Sequence, residues 1–522
     1  MALKYLYVPS GYKAGKAYGV LPNEANADLA FVRASGATRV DSNGLIDRGE
    51  SLGSNIEPTD FSSGWTGSGS GMTLSTGSAE YDNAAGYIVT NSSITLGKLY
   101  RVILEVTSFT SAVSGGLYVF SNNGNTSLTV EGVGTYEYTF TSKETRTFLL
   151  HSTTGTTLTL GSVSVREITE NTNTPRLDYT DGSCPTLLTE PQRINLAKYS
   201  EQITSWGKNP SSVAVTVRAN EEASPDGNIT ADVVSVLTQF DGVYTQGITT
   251  VAESTYSCSA YVRHVAGSSK IRVGITENFH SGTGSKYIAV DLSSGSIILN
   301  EVSSFATAKV INAGNGWYRV IIENITVPVG AGGSSNFVVY SYEDTFTEFS
   351  VWGGQIEVGN YVSSYIPNLL NGTTTRVADT GVISGDLSSY INSSEGVLEI
   401  KAKALFNGGN DCRISLSDGT SSNRLGLIWG TTTNNVSVTF QIGATTITSG
   451  SFTHDQTEMA TFKLKWKSGD IQVKLNGAVV FTSTSSFSGF SIDQIRLDKG
   501  TAQHFFQGNV QYIKIHDSAT DF

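Results

Sequence analysis

The 522-residue sequence predicts an all-β fold, with tandem antiparallel β-sandwiches of the jelly-roll kind following a small N-terminal attachment segment. Three observations lead there. Ser and Thr make up about a quarter of the chain beside 55 Gly, a composition of turns and solvated strand faces. Only 15% of residues are charged while 39% are apolar, which excludes coiled coils and disordered chains. Apolar residues recur with period two in short runs, and no segment shows a convincing 3.6-residue period.

Residues 1–55 mix turn signals (Pro9-Ser10-Gly11, Ser42-Asn43-Gly44) with short apolar pieces, Leu3 to Val8 and Leu29 to Val32. They are too thin for a core of their own, so they are expected to pack on a neighbour and to serve as an attachment region. Residues 56–170 alternate in polarity through Gly86–Thr90, Leu99–Val106, Gly116–Phe120, Thr135–Phe140, Thr147–Leu150 and Leu158–Ile168, the pattern of a sandwich. Residues 171–199 hold Pro175, Pro185 and Pro191, which fix φ and stiffen the connector, while Leu177, Tyr179, Leu187 and Leu188 are expected to dock on a domain face. Residues 200–370 repeat the grammar of 56–170: a Tyr-led strand (Leu99-Tyr100; Thr255-Tyr256), an aromatic strand (Gly134-Thr-Tyr136; Gly316-Trp-Tyr318) and a closing strand (Leu160–Glu167; Ser350–Glu357). Residues 371–522 form a last sandwich, with a hairpin at Asn476-Gly477 and Lys463, Lys465 and Lys467 on a wet face opposite Phe462, Leu464 and Trp466.

The net charge of −12 disfavours phosphate backbones and anionic lipid, so neither nucleic acid nor membrane insertion is expected. Cys184, Cys258 and Cys412 follow no C-x-x-C spacing and are read as free thiols of a reducing cytoplasm. The N-terminal stretch lacks the apolar core of a signal peptide, and no run approaches the ~18 apolar residues of a membrane span. If the protein works outside a cell, it is expected to leave by lysis or as part of a particle.

Residues 195–379 resemble the carbohydrate-binding-module-like jelly rolls of bacteriophage structural proteins. The motifs that carry the likeness are Asn195-Leu196-Ala-Lys-Tyr199-Ser200-Glu201 with Trp206, Pro225-Asp-Gly227, Gly314-Asn-Gly-Trp-Tyr-Arg319, Trp352-Gly-Gly-Gln-Ile-Glu-Val-Gly359, Ser364-Tyr-Ile-Pro367 and Thr375-Arg-Val-Ala-Asp379. Val8–Lys16, Phe31–Arg39 and Pro175-Arg-Leu-Asp-Tyr179 look like the start of phage fibre and tail-associated proteins, with 56–170 as an insertion. Residues 396–515 resemble a concanavalin A-like or laminin-G-like sandwich through Lys463–Gly477 and Phe506–His516. The resemblance implies a virion protein of head or tail, a fibre or decoration, attached to other virion proteins through its N-terminal segment, a homotrimer or dimer, and adhesive to glycans. The alternatives are a polysaccharide-degrading tail enzyme and an architectural component that binds no sugar.

No catalytic set is legible, and no catalytic residue is assigned. Glycosidase work needs two carboxylates on one side of a cleft at about 5 to 9 Å. Asp493 and Asp498 are five apart, which a strand turns to opposite faces, and Glu343, Asp344 and Glu348 sit in a loop. The six histidines show no metal-binding spacing. No cofactor is expected. A structural Ca²⁺ fits related modules, but no D-x-D-x-D run assigns its ligands. For glycan binding, Tyr244, Phe279, His280, Tyr340 and Tyr342 are the candidates, because they fall in or near loops of 200–370 where aromatic faces meet sugar rings.

Overall fold

The computed structural model describes the whole chain except residues 1–2, 57–60, 83–85, 91–93, 96–97, 112–117, 121–131, 142–148, 153–155, 211–213, 281–282, 370 and 410. Gly116 and Leu117 of one predicted strand, and Thr147 and Phe148 of another, lie outside the described residues. Nearly everything described is antiparallel β, with three single 3-10 turns and no α-helix among the described residues.

The chain divides into two compact units, Glu50–Glu170 and Met1–Gly49 with Asn171–Phe522. The first boundary falls at Gly49 and not at residue 55, because Glu50–Asn55 pairs with the strand Thr156–Glu170. Within the larger unit the two ends of the insertion meet, the Asn171 amide donating to the Gly49 carbonyl at 2.9 Å.

The inserted unit and the middle sandwich share one sheet plan. In the insertion, strands run in the order Gly134–Thr141, Leu99–Ser111, Thr156–Glu170, Ser78–Tyr81 and Met72–Ser75. In the middle sandwich, after the edge strand Thr307–Asn312, the corresponding order is Trp317–Thr326, Thr255–Gly267, Thr347–Val358, Ile229–Val236 and Thr216–Ala223. A local detail repeats as well. The Tyr100 hydroxyl accepts the Thr95 amide at 2.9 Å, and the Tyr256 hydroxyl accepts the Val251 amide at 3.1 Å, each five residues upstream. The two sheets thus share a strand order and a tyrosine tie.

The last sandwich is not closed by residues 371–522 alone. Its first sheet takes in Leu3–Tyr7, Arg176–Asp178 and Thr186–Thr189 beside Gly508–His516, and its second takes in Lys16–Ala17 and Leu29–Val32 beside Thr380–Ser384. Alternation decides which side chains enter: Tyr5, Tyr7, Leu29 and Phe31 are buried in one core with Leu398, Ile400, Trp429, Phe462, Leu464 and Trp466. The Tyr5 hydroxyl reaches the Ala27 carbonyl at 3.0 Å. The N-terminal segment and the proline connector are therefore strands of this sandwich. Lys463 and Lys467 point outward and pair with Glu399 and Glu395, but Lys465 is not on a wet face: it is covered beside the Phe522 ring and pairs with Asp470 at 2.8 Å.

The motif residues turn out to be ties between segments. Asn195 donates to the Gly354 and Ile366 carbonyls at 3.1 and 2.8 Å and accepts the Ile356 amide at 3.1 Å, closing the start of the middle sandwich on its end. Trp206, Trp317, Trp352 and Trp466 bury their rings and each donates its indole N–H, to Tyr199, Ala223, Thr230 and Asn392. Arg33, Arg176, Glu190, Arg376 and Asp379 form a buried ionic chain of alternating sign. Arg33 donates to Asp379 at 2.9 Å, Arg176 bridges Asp379 and Glu190, and Arg376 lies 2.8 Å from Glu190. Ser364 adds its amide to Glu190 at 2.8 Å. A second buried set ties Arg48 to Asp226 at 2.5 Å and to Glu201 at 2.8 Å, with Arg48 also over the Trp352 ring.

Removing one member of such a chain strands the others in low dielectric, so Asp379→Ala is expected to cost about 3–5 kcal/mol, read as a lowered unfolding midpoint. Acid should act on the same point. Burial pushes the Glu190 carboxyl up, but Arg376, Arg176 and the Ser364 hydrogen bonds outweigh it and hold the group well below the usual carboxylate range. A carboxylate depressed in the folded state stabilises fully above its ordinary value of 4.5 and loses that contribution as pH falls below it. The difference in thermal midpoint between wild type and Glu190→Gln should therefore be constant near neutrality and shrink as pH falls below about 4.5.

Candidate functional site

The middle sandwich has two outer faces with different fates. The outer side of the sheet built on Thr255–Gly267 and Thr347–Val358 is covered: Tyr261, Trp317 and Trp352 are buried there with Ile46 and Tyr365. The opposite sheet runs in the order Gly207–Asn209, Gly242–Tyr244, Phe337–Ser341, Lys270–Ile275, Lys286–Asp291 and Ser296–Asn300. Its inward residues, Val243, Ile271, Val273, Ile275, Ile288, Val290, Phe337 and Val339, belong to the core. Alternation then sends Tyr244, Tyr340, Arg272 and Tyr287 to the outer face.

Close approach to glycine lays these rings down. Gly207 pairs with Tyr244, and a Cβ on Gly207 would sit 2.2 Å from the Tyr244 ring. Gly274 pairs with Tyr287, and a Cβ there would come within 2.5 Å of that ring. Each tyrosine thus lies across the bare backbone of its neighbouring strand instead of standing upright. Tyr287 and Tyr340 have centroids 6.3 Å apart, and Phe240 comes from the preceding loop to 5.7 Å from Tyr287. Tyr342, just past the strand Phe337–Ser341, meets the same cluster through Arg272, whose guanidinium carbon is 4.0 Å from the Phe240 centroid and 4.5 Å from that of Tyr342. Tyr340 is buried, which pushes its phenol pKa up, while Tyr244, Tyr287 and Tyr342 are half-buried and Phe240 is exposed.

Three of the five residues expected from the sequence, Tyr244, Tyr340 and Tyr342, are brought to this face. Phe279 is not: it is fully buried in the core and meets Tyr256 edge-on at 5.7 Å, so its ring offers no face to a ligand. His280 lies nearly buried against Phe305 at 5.4 Å, and burial lowers its pKa. Arg272, Tyr287 and Phe240 were not picked out in advance. The usable signal was the pair of glycines, but their partners are 37 and 13 residues away, and only the register joins them.

Of the carboxylates that an enzyme reading would use, Asp498, Glu343 and Glu348 are engaged, whereas the buried Oδ1 of Asp493 has no hydrogen-bond partner among the described residues and burial, with Asp386 and Asp418 nearby, raises its pKa. Asp498 is buried and bidentate with Arg496 at 2.9 and 3.0 Å. Glu343 pairs with Lys270 at 2.7 Å and Glu348 with Arg218 at 3.0 Å. Among the described residues no group of three or more His, Cys, Asp or Glu is placed to hold a metal ion.

No family model matches this chain, and no curated protein matches it. Similar solved structures include the N-terminal CBM22-1–CBM22-2 tandem domain of Xyn10C from Paenibacillus barcinonensis, 14% identical over 62% of this chain and 100% of that one, with a TM-score of 0.23. Domains LG4-5 of the mouse laminin α1 chain are 11% identical over 53% of this chain and 86% of that one, with a TM-score of 0.21. At scores this low neither likeness says what this chain binds.

The glycine-backed geometry has a direct check. In Gly207→Ala the three atoms nearest the new Cβ all belong to Tyr244, so the change should cost no more than about 1 kcal/mol of stability while turning the ring outward. A crystal structure of the variant, or a rise in tyrosine accessibility to nitration, would register the change.

Proposed function

We propose that this chain is a non-catalytic glycan-binding protein that uses the aromatic outer face of the middle sandwich. The observation that carries this reading is the set Tyr244, Tyr287, Tyr340, Tyr342 and Phe240, gathered on one sheet face with two rings laid over glycine. Flat aromatic surface takes up the apolar side of a sugar ring, and the phenol hydroxyls at its rim supply polar contacts for orientation. The ion pairs of Asp498, Glu343 and Glu348 favour a binding role over hydrolysis.

In this proposal the protein is a fibre or decoration component of a bacteriophage particle, assembled as a trimer or dimer with other virion proteins, and its task is adhesion to host-surface or environmental glycans. The ordered motifs from Asn195 to Asp379 support the phage assignment. Because Leu3–Tyr7 and Leu29–Val32 are strands of the last sandwich, attachment would use the outer surface of residues 1–49 and not an unfolded arm.

Glycan-array binding of the full chain tests the reading. Tyr342→Ala and Tyr244→Ala are each expected to weaken the strongest signal at least about fivefold, as removal of a central aromatic contact does. A wild-type protein that binds no glycan, or Tyr variants that bind as well as wild type, would contradict it.

A further inference from the structure

Arg272 is an anomaly in the face just described. Its side chain starts on the strand Lys270–Ile275 between Ile271 and Val273, and the residue keeps 8% of its surface exposed. A charge that is nine-tenths buried ordinarily has a carboxylate against it. Arg272 has none within ion-pair distance among the described residues, and its one protein hydrogen bond is a long contact from Nη1 to the Ser341 carbonyl at 3.5 Å. Arg33, Arg176 and Arg376, buried more deeply in the same unit, are each paired with Asp379 or Glu190, while Arg424, at 6% exposure, shares with Arg272 the lack of a carboxylate partner among the described residues.

Carboxylates are not scarce around it. Asp241 follows Phe240 in the chain, and Glu343 and Asp344 follow Tyr342. All are committed elsewhere: Asp241 accepts from Thr238 at 2.7 Å, Glu343 takes Lys270 and Ser268 at 2.7 Å each, and Asp344 accepts the Gln239 amide at 3.4 Å. Glu301 acts on Arg272 only through its field, with an oxygen accepting the Tyr287 amide at 3.1 Å. What surrounds the guanidinium instead is aromatic, Phe240 at 4.0 Å, Tyr342 at 4.5 Å and Tyr287 at 6.0 Å. Stacked rings engage the faces of a guanidinium, but its five N–H donors lie in its plane, and ring contacts leave them available to another acceptor. A planar fork of donors with stacked faces has the geometry to take a carboxylate edge-on by two parallel hydrogen bonds. The position also fits, since the same rings make up the aromatic surface on which a sugar would lie.

Resting on the glycan-binding reading of this face, we infer that its ligand is an acidic sugar, and that Arg272 receives the carboxylate of a uronic or related sugar acid while Tyr342 and Tyr287 flank the ring. Burial lowers the Arg272 pKa, the sign of a cation short of solvation that an incoming anion would relieve. The chain's net charge of −12 opposes this only at long range, because salt screens it beyond about 8 Å under physiological conditions.

The test compares acidic polymers with their own neutral, carboxyl-reduced forms: polygalacturonate, alginate, hyaluronate and colominic acid, with dextran sulfate beside unmodified dextran, all titrated calorimetrically into the full chain. At least one carboxylated polymer is expected to bind about tenfold more tightly than its reduced form. Arg272→Met should erase that preference and Arg272→Lys should restore part of it, with unfolding midpoints measured on both. If wild type binds acidic and reduced forms alike, the inference falls while the glycan reading stands. A preference confined to the sulfated polymer, or one that survives in folded Arg272→Met, also overturns it. If no polymer of either kind binds, both readings fail together.

Discussion

Three guanidinium groups and two carboxylates, all withdrawn from water, join segments that are far apart in sequence. Arg33 comes from the N-terminal segment, Arg176 and Glu190 from the proline connector, and Arg376 and Asp379 from the stretch that leaves the middle sandwich. Along Arg33, Asp379, Arg176, Glu190 and Arg376 the charges alternate, so each carboxylate sits between two cations and the chain as a whole carries one net positive charge. Burying ions is costly, and apolar replacements of equal shape could be as stable. Apolar residues, however, would not dictate which three segments meet. The ionic chain does, because any wrong pairing leaves a charge unmatched in low dielectric.

Much else follows from that junction. With Arg33 held, Leu29–Val32 is delivered to the second sheet of the last sandwich, and with Arg176 held, Arg176–Asp178 and Thr186–Thr189 are delivered to the first. The Arg48, Glu201 and Asp226 set and the buried Trp352 and Tyr365 use one outer face of the middle sandwich for the same purpose. That division of labour leaves the opposite sheet to carry the tyrosines and Arg272, so one side of the jelly roll serves architecture and the other presents chemistry.

The strands and the core were legible because period-two alternation needs no knowledge of partners. Phe462, Leu464 and Trp466 face in and Lys463 and Lys467 face out, as their spacing predicts, whereas Lys465 is covered by the Phe522 ring that the spacing does not reveal. The ordered motifs were legible as motifs, but their work was not: Asn195, Arg176 and Asp379 act through contacts that span 159, 203 and 346 residues. The N-terminal segment is too short for a core of its own, yet nothing in it shows that Tyr5 and Phe31 complete a sandwich whose other strands come from the proline connector and from residues beyond 379. At the site, loop position found Tyr244, Tyr340 and Tyr342 but also Phe279, since a loop aromatic and a core aromatic look alike until Tyr256 is seen against it. Arg272 was missed because an arginine alternating with Ile271 and Val273 reads as an ordinary outward charge. Its lack of a counterion is a property of the space around it.

The central claim is that sugar lies on the sheet face of Tyr244, Tyr340 and Tyr342. It is tested most directly by a crystal structure of the full chain soaked with the oligosaccharide that binds it best on an array. The account predicts a pyranose ring stacked on at least one of those tyrosines with polar contacts to Arg272. A saccharide seated instead on the last sandwich or on the inserted unit, with this face empty, would contradict it.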